Sequence, residues 1–202
     1  MSSNASSNDA SSNDASSNDA SESAAADRRP GREARIDTQR AARPEPSLGA
    51  LAERIRAQMP ATRALQFSLL SGEAESLVAT APLGPNANHR GTAFGGSLSM
   101  LATVAGWAMA HRLLRERGRK AEVVIQRSRA DYRAPVREHL CLRCKRPPRE
   151  ERASFFEALR RWGRARLSLS CTAAATEGGE PAFRFEGAYA ALAPSSREKR
   201  AR

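Results

Sequence analysis

The sequence contains few aromatic residues and few cysteines. Phe, Trp and Tyr make up 5% of its 202 residues, and no basic segment is interleaved with them. A surface that stacks nucleic-acid bases needs such aromatic side chains, so we expect no nucleic-acid partner. Three cysteines are typical of a reducing compartment, and we expect a cytoplasmic protein.

The sequence also lacks a complete metal-binding pattern. Cys141 and Cys144 have the spacing of a metal or redox pair, but no second such pair and no histidine pair accompanies them. The surrounding segment is typical of a strand, in which residues three apart face opposite sides. We therefore expect no metal and no bound cofactor.

Long hydrophobic runs are scarce. The N-terminus is polar, which predicts no secretory signal. The longest uncharged run, residues 91–110, is rich in glycine and hydroxyl residues. It is therefore weakly hydrophobic, and it predicts a buried helix of a soluble domain rather than a membrane span.

Lysine is rare, although the chain is strongly basic. Three of the 33 basic residues are lysines, and the net charge is +11. The first 46 residues contain six arginines and eight acidic residues, so the remaining chain has 27 basic and 14 acidic residues. This excess favours acidic or phosphate-bearing partners. A GC-rich genome also enriches arginine without selection for binding, and the charge alone leaves both interpretations open.

The composition changes along the chain. Residues 2–20 repeat SSNA and SSNDA units and contain no large apolar residue, which predicts disorder. The stretch up to Pro46 is charged and contains proline, as linkers do. We predict a disordered tail and linker over 1–46, one folded domain over 47–194, and a basic C-terminal tail over 195–202.

Hydrophobic periodicity predicts six strands and one long helix. A short amphipathic helix follows Ser47 and ends at Pro60. Strands are predicted at 65–69, 76–81, 122–132, 138–145, 164–175 and 182–192, and a buried helix runs from about Gly95 to Arg117, with Gly118 as its C-cap. Residues 150–161 are predicted to form a helical turn or two, or a hairpin connection. This pattern indicates an α+β domain with one central helix.

The start of the long helix has the residue types of an oxyanion site. Gly95 and Gly96 let another molecule approach the backbone closely, and free N–H groups at a helix start attract a developing negative charge. The glycine pair also fits simple close packing of the helix. No Asp or Glu occurs between Phe94 and Glu116, which limits the chemistry that the helix can perform.

The loop before this helix contains further candidate site residues, and each of them could instead have a purely structural role. Asn88 either contacts a ligand or caps a turn. His89 is a candidate general base or a surface residue. Thr92 and Ser97 either lie beside the reacting group or cap the helix. Gln126 and Ser128 share a face with Val124 in the predicted strand, and we expect them to point towards the helix.

The segment NANHRGTAFGGSLSMLATVAGW, residues 86–107, together with residues 131–136, resembles the YiiD C-terminal domain family. The resemblance covers residues 47–192. It implies a hotdog fold, an antiparallel sheet wrapped around one long central helix, and an enzyme of thioesterase type. It also implies a homodimer or higher oligomer with active sites at the subunit interface. The substrate would be an acyl group on coenzyme A or on the phosphopantetheine of an acyl carrier protein.

The resemblance also implies roles for residues at the helix start. Gly95 and Gly96 would supply the oxyanion N–H groups, Asn88 would face the thioester, and Thr92 would lie close by. The residues expected to contact substrate are Asn86, Phe94, Ser97, Gln126 and Ser128.

One departure from related enzymes affects the predicted reaction. Phenylacetate-type hotdog thioesterases read HGG where this chain has Phe94-Gly95-Gly96, and they have an Asp at the position of Thr103. The usual water-activating carboxylate is therefore missing. Thioester hydrolysis is the leading expectation. The alternatives are decarboxylation of a malonyl thioester to an acetyl thioester that primes fatty-acid synthesis, which the resemblance also implies, and a non-catalytic acyl-binding module.

Overall fold

The structure is a computed structural model, and it describes residues 47–72, 76–175 and 179–194. The predicted tails, residues 1–46 and 195–202, lie outside the described residues. So do residues 73–75 and 176–178.

The described residues form three α-helices, two short 3-10 helices and six strands. The helices are α1 (Leu48–Gln58), α2 (Gly95–Glu116) and α3 (Arg149–Trp162), with 3-10 turns at Pro60–Leu65 and Gly84–Asn86. The strands are β1 (Ser68–Ser71), β2 (Leu77–Ala81), β3 (Glu122–Tyr132), β4 (Leu140–Cys144), β5 (Arg164–Ala174) and β6 (Pro181–Leu192). The predicted α+β composition is confirmed.

The six strands form one antiparallel sheet in the order β1-β2-β4-β5-β6-β3, so β3 lies at one edge. One face of the sheet, here the inner face, packs against α2. Cys171 in β5 donates its thiol to the Ala102 carbonyl (3.7 Å), and Tyr189 in β6 donates its hydroxyl to the Thr103 carbonyl (3.0 Å). We call the opposite side of the sheet the outer face.

Helix α2 is the centre of the core. Half of its 22 residues are buried, as expected for a helix that is apolar on most sides. It ends at Glu116 with Arg117 as the C-cap, and the predicted Gly118 follows directly with a φ of 61°. The N–H groups of Gly118 and Arg119 donate to the carbonyls of Arg115 and Leu114 (both 2.8 Å), so two of the last free carbonyls are satisfied.

A glycine lets α2 approach the sheet closely. Gly106 faces Tyr189, and a Cβ at this position would overlap the tyrosine ring and hydroxyl. Burial raises the pKa of the Tyr189 phenol well above its usual value. The hydroxyl therefore stays protonated, and it donates to the helix carbonyl of Thr103.

The predicted strand over 65–69 is partly wrong. Residues up to Leu65 form a 3-10 turn that begins at Pro60, because proline fits the first turn of a helix. Gln66 has a φ of 52°, and β1 begins only at Ser68. Leu65, Phe67 and Leu69 are all buried. Burial therefore alternates as the sequence predicts, although half of the segment is not extended.

Helix α3 is longer than the sequence predicts. It has 14 residues, and it buries Phe155 and Leu159, one turn apart. It packs against β5 and ends at Gly163, which has a φ of 65°. Acidic residues in its first turn and basic residues in its last turn complement the helix dipole. A single narrow apolar stripe is therefore enough to stabilise this highly charged helix.

No helix in the described ranges is long and apolar enough to cross a membrane. Cys141 is exposed and Cys144 is buried, so the two face opposite sides of β4, as predicted. Cys144 lies directly across from the buried Cys171.

The contact between Gly106 and Tyr189 leads to a stability prediction. Gly106→Ala should lower the free energy of unfolding by about 1–3 kcal/mol, because the added methyl group has no room. Gly49→Ala in α1 is the matched control. There the Cβ would lie 3.7 Å from the Ser47 hydroxyl, and higher helix propensity should stabilise by up to ~1 kcal/mol. Urea unfolding measures the change in the free energy of unfolding for each variant. Equal changes would contradict the proposed close contact.

Candidate active site

The loop before α2 is held in place by Asn86. Its buried side chain donates both amide hydrogens, to the carbonyls of Leu65 (3.0 Å) and Pro82 (2.8 Å). The backbone carbonyl of Asn86 accepts the N–H of Phe94 (2.8 Å). The geometry therefore gives Asn86 a role in positioning the loop, since neither amide hydrogen is left for a ligand.

Asn88 organises the tip of the same loop. Its Oδ1 accepts the backbone N–H groups of Arg90 (2.8 Å) and Thr92 (3.3 Å). Its Nδ2 donates to the hydroxyl of Thr92 (3.0 Å) and to the Ala93 carbonyl (3.4 Å). Gly91 has a φ of 70°, which completes the turn. Asn88 and Thr92 therefore lie together, in the turn-capping arrangement that the sequence left open.

Helix α2 begins without a side-chain cap. Phe94 is the N-cap residue, and its side chain makes no capping hydrogen bond. Among the described residues, the N–H groups of Gly95, Gly96 and Ser97 have no hydrogen-bond partner, whereas Leu98 already donates to the Phe94 carbonyl (3.1 Å). These free N–H groups and the helix dipole make the first turn attractive to negative charge.

Aromatic rings lie against both glycines of this first turn. A Cβ at Gly95 would lie 3.1 Å from the Tyr132 ring, and a Cβ at Gly96 would overlap the ring of Phe94. Phe94 is 55% exposed, so its ring is free to move. Close packing therefore favours glycine at both positions, and the same residues also have free N–H groups. The close-packing and oxyanion-site interpretations of the pair are compatible.

Tyr132 is a site residue that the sequence analysis missed. It ends β3 and faces the helix start. Its hydroxyl donates to the Gly95 carbonyl (3.1 Å) and lies 2.5 Å from the Ser99 hydroxyl. Its ring packs on Phe183 with centroids 5.2 Å apart. Strand alternation could have identified it, because Tyr132 is four residues after Ser128 and shares its face.

A pocket of about 320 Å³ lies beside the helix start. Apolar side chains and the Tyr132 ring form most of it, and Arg133 contributes a cation. The lining includes Ala93, Gly95, Leu98, Tyr132, Arg133 and Val136. No Asp, Glu or His among the described residues lines this pocket.

Neither His89 nor Asp131 lines the pocket. His89 is exposed on the loop. Asp131 pairs with Arg184 across the ladder and accepts from Arg129 Nε (3.4 Å) on the outer face. The Thr103 hydroxyl donates to the Ser99 carbonyl (2.9 Å). In the part of the chain that the structure describes, the site therefore combines free N–H groups with a pocket lining that contains no carboxylate or imidazole.

The remaining predicted residues are divided between the two faces of the sheet. The expectation that Gln126 points towards the helix is wrong, because its side chain accepts from Arg166 Nε (2.8 Å) on the outer face. Gln126 shares its face with Val124 as predicted, but Val124 lies opposite Ala190 on the outer face. The register shift between Ile125 and Arg127 then turns Ser128 to the inner face. Ser128 lies opposite Gly187 on the inner face but is exposed, and Ser97 is half-buried in the first turn of α2.

Comparisons with known proteins agree with this architecture. A protein of unknown function from Chlorobaculum tepidum is 32% identical, with a TM-score of 0.67 over 71% of this chain and 93% of that one. A "putative thioesterase" from Shewanella oneidensis is 24% identical, with a TM-score of 0.64 over 72% and 96%. A "Probable Thioesterase" from Pseudomonas aeruginosa is 16% identical, with a TM-score of 0.56 over 71% and 95%. The search of curated proteins gave no match.

A family model described as "Putative thioesterase (yiiD_Cterm)" matches residues 48–193. The predicted resemblance and the predicted hotdog fold are confirmed by this match and by the solved structures. The chain belongs to this YiiD C-terminal family and is a hotdog protein of thioesterase type.

Proposed function

We propose that the protein is an enzyme that acts on acyl thioesters, with the reacting carbonyl at the N-terminus of α2. The observation that carries this proposal is an uncapped helix start that opens onto an apolar pocket. The N–H groups of Gly95 and Gly96 would hold the carbonyl oxygen as it becomes negative. Ala93, Leu98 and Val136 would contact the acyl group.

The substrate would carry its acyl group on coenzyme A or on carrier-bound phosphopantetheine. Arg133 lines the pocket and has no ion-pair partner among the described residues, so it is a cation available to such a substrate. Asn88 and Thr92 would act as positioning residues, because their side chains fix the loop that leads into the helix. Phe94 and Ser97 would border the reacting group.

Hydrolysis requires an activated water molecule. General-base catalysis typically raises the reaction rate by a factor of about 10²–10⁴. His89 is the imidazole on the loop, and it is exposed. It would have to move towards the helix start to serve as the base.

Decarboxylation of a malonyl thioester is the second candidate, and the absence of a base among the described pocket residues favours it. Breaking the bond between the carboxylate and the methylene carbon releases carbon dioxide and leaves an enolate thioester. The free N–H groups of the helix would hold the enolate oxygen. The Tyr132 hydroxyl would then protonate the methylene carbon, giving the acetyl thioester, and would regain its proton from water through Ser99.

A homodimer would complete the site. Strand β3 pairs with β6 alone among the described strands, so its other side presents unpaired backbone groups. Val124, Ile125 and Met100 are 46%, 37% and 38% exposed. An apolar edge of this kind favours pairing with a second copy.

The role of the helix N–H groups can be tested at Gly95. Gly95→Pro removes one N–H but suits the first helical position, and the Phe94 backbone (φ −68°, ψ 130°) suits a residue before proline. We expect a loss of about 10²–10³ in kcat on acyl-coenzyme A thioesters. Gly95→Ala adds the same Cβ and keeps the N–H, so it is the matched control. Equal activities of the two variants would contradict the proposed oxyanion site.

Mass spectrometry of the products distinguishes the two reactions. If decarboxylation occurs, malonyl-coenzyme A in D₂O becomes acetyl-coenzyme A with one deuterium, and Tyr132→Phe should slow this by about 10²–10⁴. Tyr189→Phe, which removes a hydroxyl distant from the pocket, is the control. Hydrolysis of saturated acyl thioesters with no attack on the malonyl thioester would exclude decarboxylation. In that case His89→Ala should reduce activity.

The dimer can be tested with lysine substitutions. Ile125→Lys places a charge on the edge strand, and light scattering should show a monomer. Leu192→Lys is the control, because Leu192 is 41% exposed but lies on the interior strand β6, and this variant should remain dimeric. A wild-type monomer would contradict the proposed assembly.

A further inference from the structure

A second cavity lies on the outer face of the sheet, on the opposite side from α2. This outer groove has a volume of about 700 Å³. Arg127 and Arg129 of β3 form one rim, and Lys145 and Arg146, which follow β4, form the other. Small residues of β6 form the floor, together with the hydroxyls of Ser168 and Ser170. The groove is therefore polar, with cations on two sides.

A β-bulge creates one rim of the outer groove. Ile125 pairs with Tyr189, and the next paired residue is Arg127, opposite Ala188. Gln126 is the extra residue, so Gln126 and Arg127 both lie on the outer face. In a regular strand Arg127 would face α2. The bulge therefore turns both Arg127 and Arg129 to the outer face, and re-aiming a side chain is a common role of bulges.

The cations of the outer groove are only partly neutralised. Among the described residues, the side chains of Arg127 and Lys145 have no hydrogen-bond or ion-pair partner, and Arg129 makes a single contact with Asp131 (3.4 Å). Arg146 donates to both carboxylate oxygens of Glu116 (2.9 and 2.5 Å). Arg146 therefore holds its rim in place, while the other three cations remain available to a ligand.

Two carboxylates also line the outer groove. Glu186 lies directly opposite Arg129 in the ladder, and Glu151 lies in the first turn of α3. Carboxylates accept hydrogen bonds from hydroxyl groups and repel phosphates. A ligand that carries both phosphates and hydroxyls would therefore satisfy the whole groove.

We propose that the outer groove binds a nucleotide. Arg127 and Lys145 would hold the phosphates, and Glu186 with the two serines would bind the sugar hydroxyls. The volume lies within the range of small-molecule sites. The nucleotide could be the adenosine phosphate part of a coenzyme A substrate, which rests on the proposed function, or a free nucleotide.

Calorimetry with the full chain tests the groove without turnover, so its result does not depend on the proposed reaction. ADP should bind the wild type, and Arg127→Ser and Lys145→Ser should each weaken binding roughly tenfold, the effect of losing one charge-assisted contact. Arg119→Ser and Lys120→Ser are matched controls at exposed positions outside the groove and should bind normally. Pyrophosphate, which lacks the sugar, should bind more weakly than ADP.

The two sources of nucleotide are separated by kinetics. If the nucleotide belongs to the substrate, Arg127→Ser raises KM for acyl-coenzyme A roughly tenfold and leaves KM for the matching acyl-pantetheine unchanged. If both KM values are unchanged while ADP binding is weakened, the groove takes a free nucleotide. No ADP binding to the wild type, or equal weakening in the control variants, would overturn the proposal.

Discussion

The packing of α2 against the inner face of the sheet is the constraint on which the other features depend. The helix has no charged residue from Gly95 to Ala110, so it is stable only where the sheet covers it. Gly106 against Tyr189, and Cys171 against the Ala102 carbonyl, fix how closely it lies on the strands. The first turn of the helix consequently has a fixed place beside the end of β3.

Much of the fold could be predicted from the sequence, because its signals are local. The ends of α2 and the alternation in β5 follow from neighbouring residues. Strand alternation gives the face of Tyr132, but its contact with Gly95 joins residues 37 apart in the chain, and no local pattern indicates that contact. The placement of Gln126 and Ser128 on opposite faces also depends on one extra residue in a ladder, and the sequence has no signal for that bulge.

The candidate site shows why residue type alone gives an incomplete assignment. Asn86 and Asn88 have the side chains expected of ligand-binding residues, yet their amides bond to the loop itself. Free hydrogen-bonding capacity lies instead in the backbone of Gly95 and Gly96, which no side-chain motif describes. The proposed chemistry would therefore rest on a preorganised backbone that the two asparagines support, and such donors need little rearrangement when charge develops.

Strand β3 contributes to both faces of the molecule. Tyr132 at its end lies over the helix start, Arg127 and Arg129 line the groove behind the sheet, and its free edge lies between them. Because side chains alternate along a strand, an insertion or deletion of one residue would exchange the faces of every residue beyond it. The bulge at Gln126 is such an insertion, already accommodated by the ladder. Removing Gln126 itself would leave a regular ladder in which Ile125 and Arg127 keep their present partners. Removing a residue beyond the bulge, such as Ala130, would turn the residues on one side of the deletion to the opposite face. The two distant surfaces to which β3 contributes therefore depend on a single register.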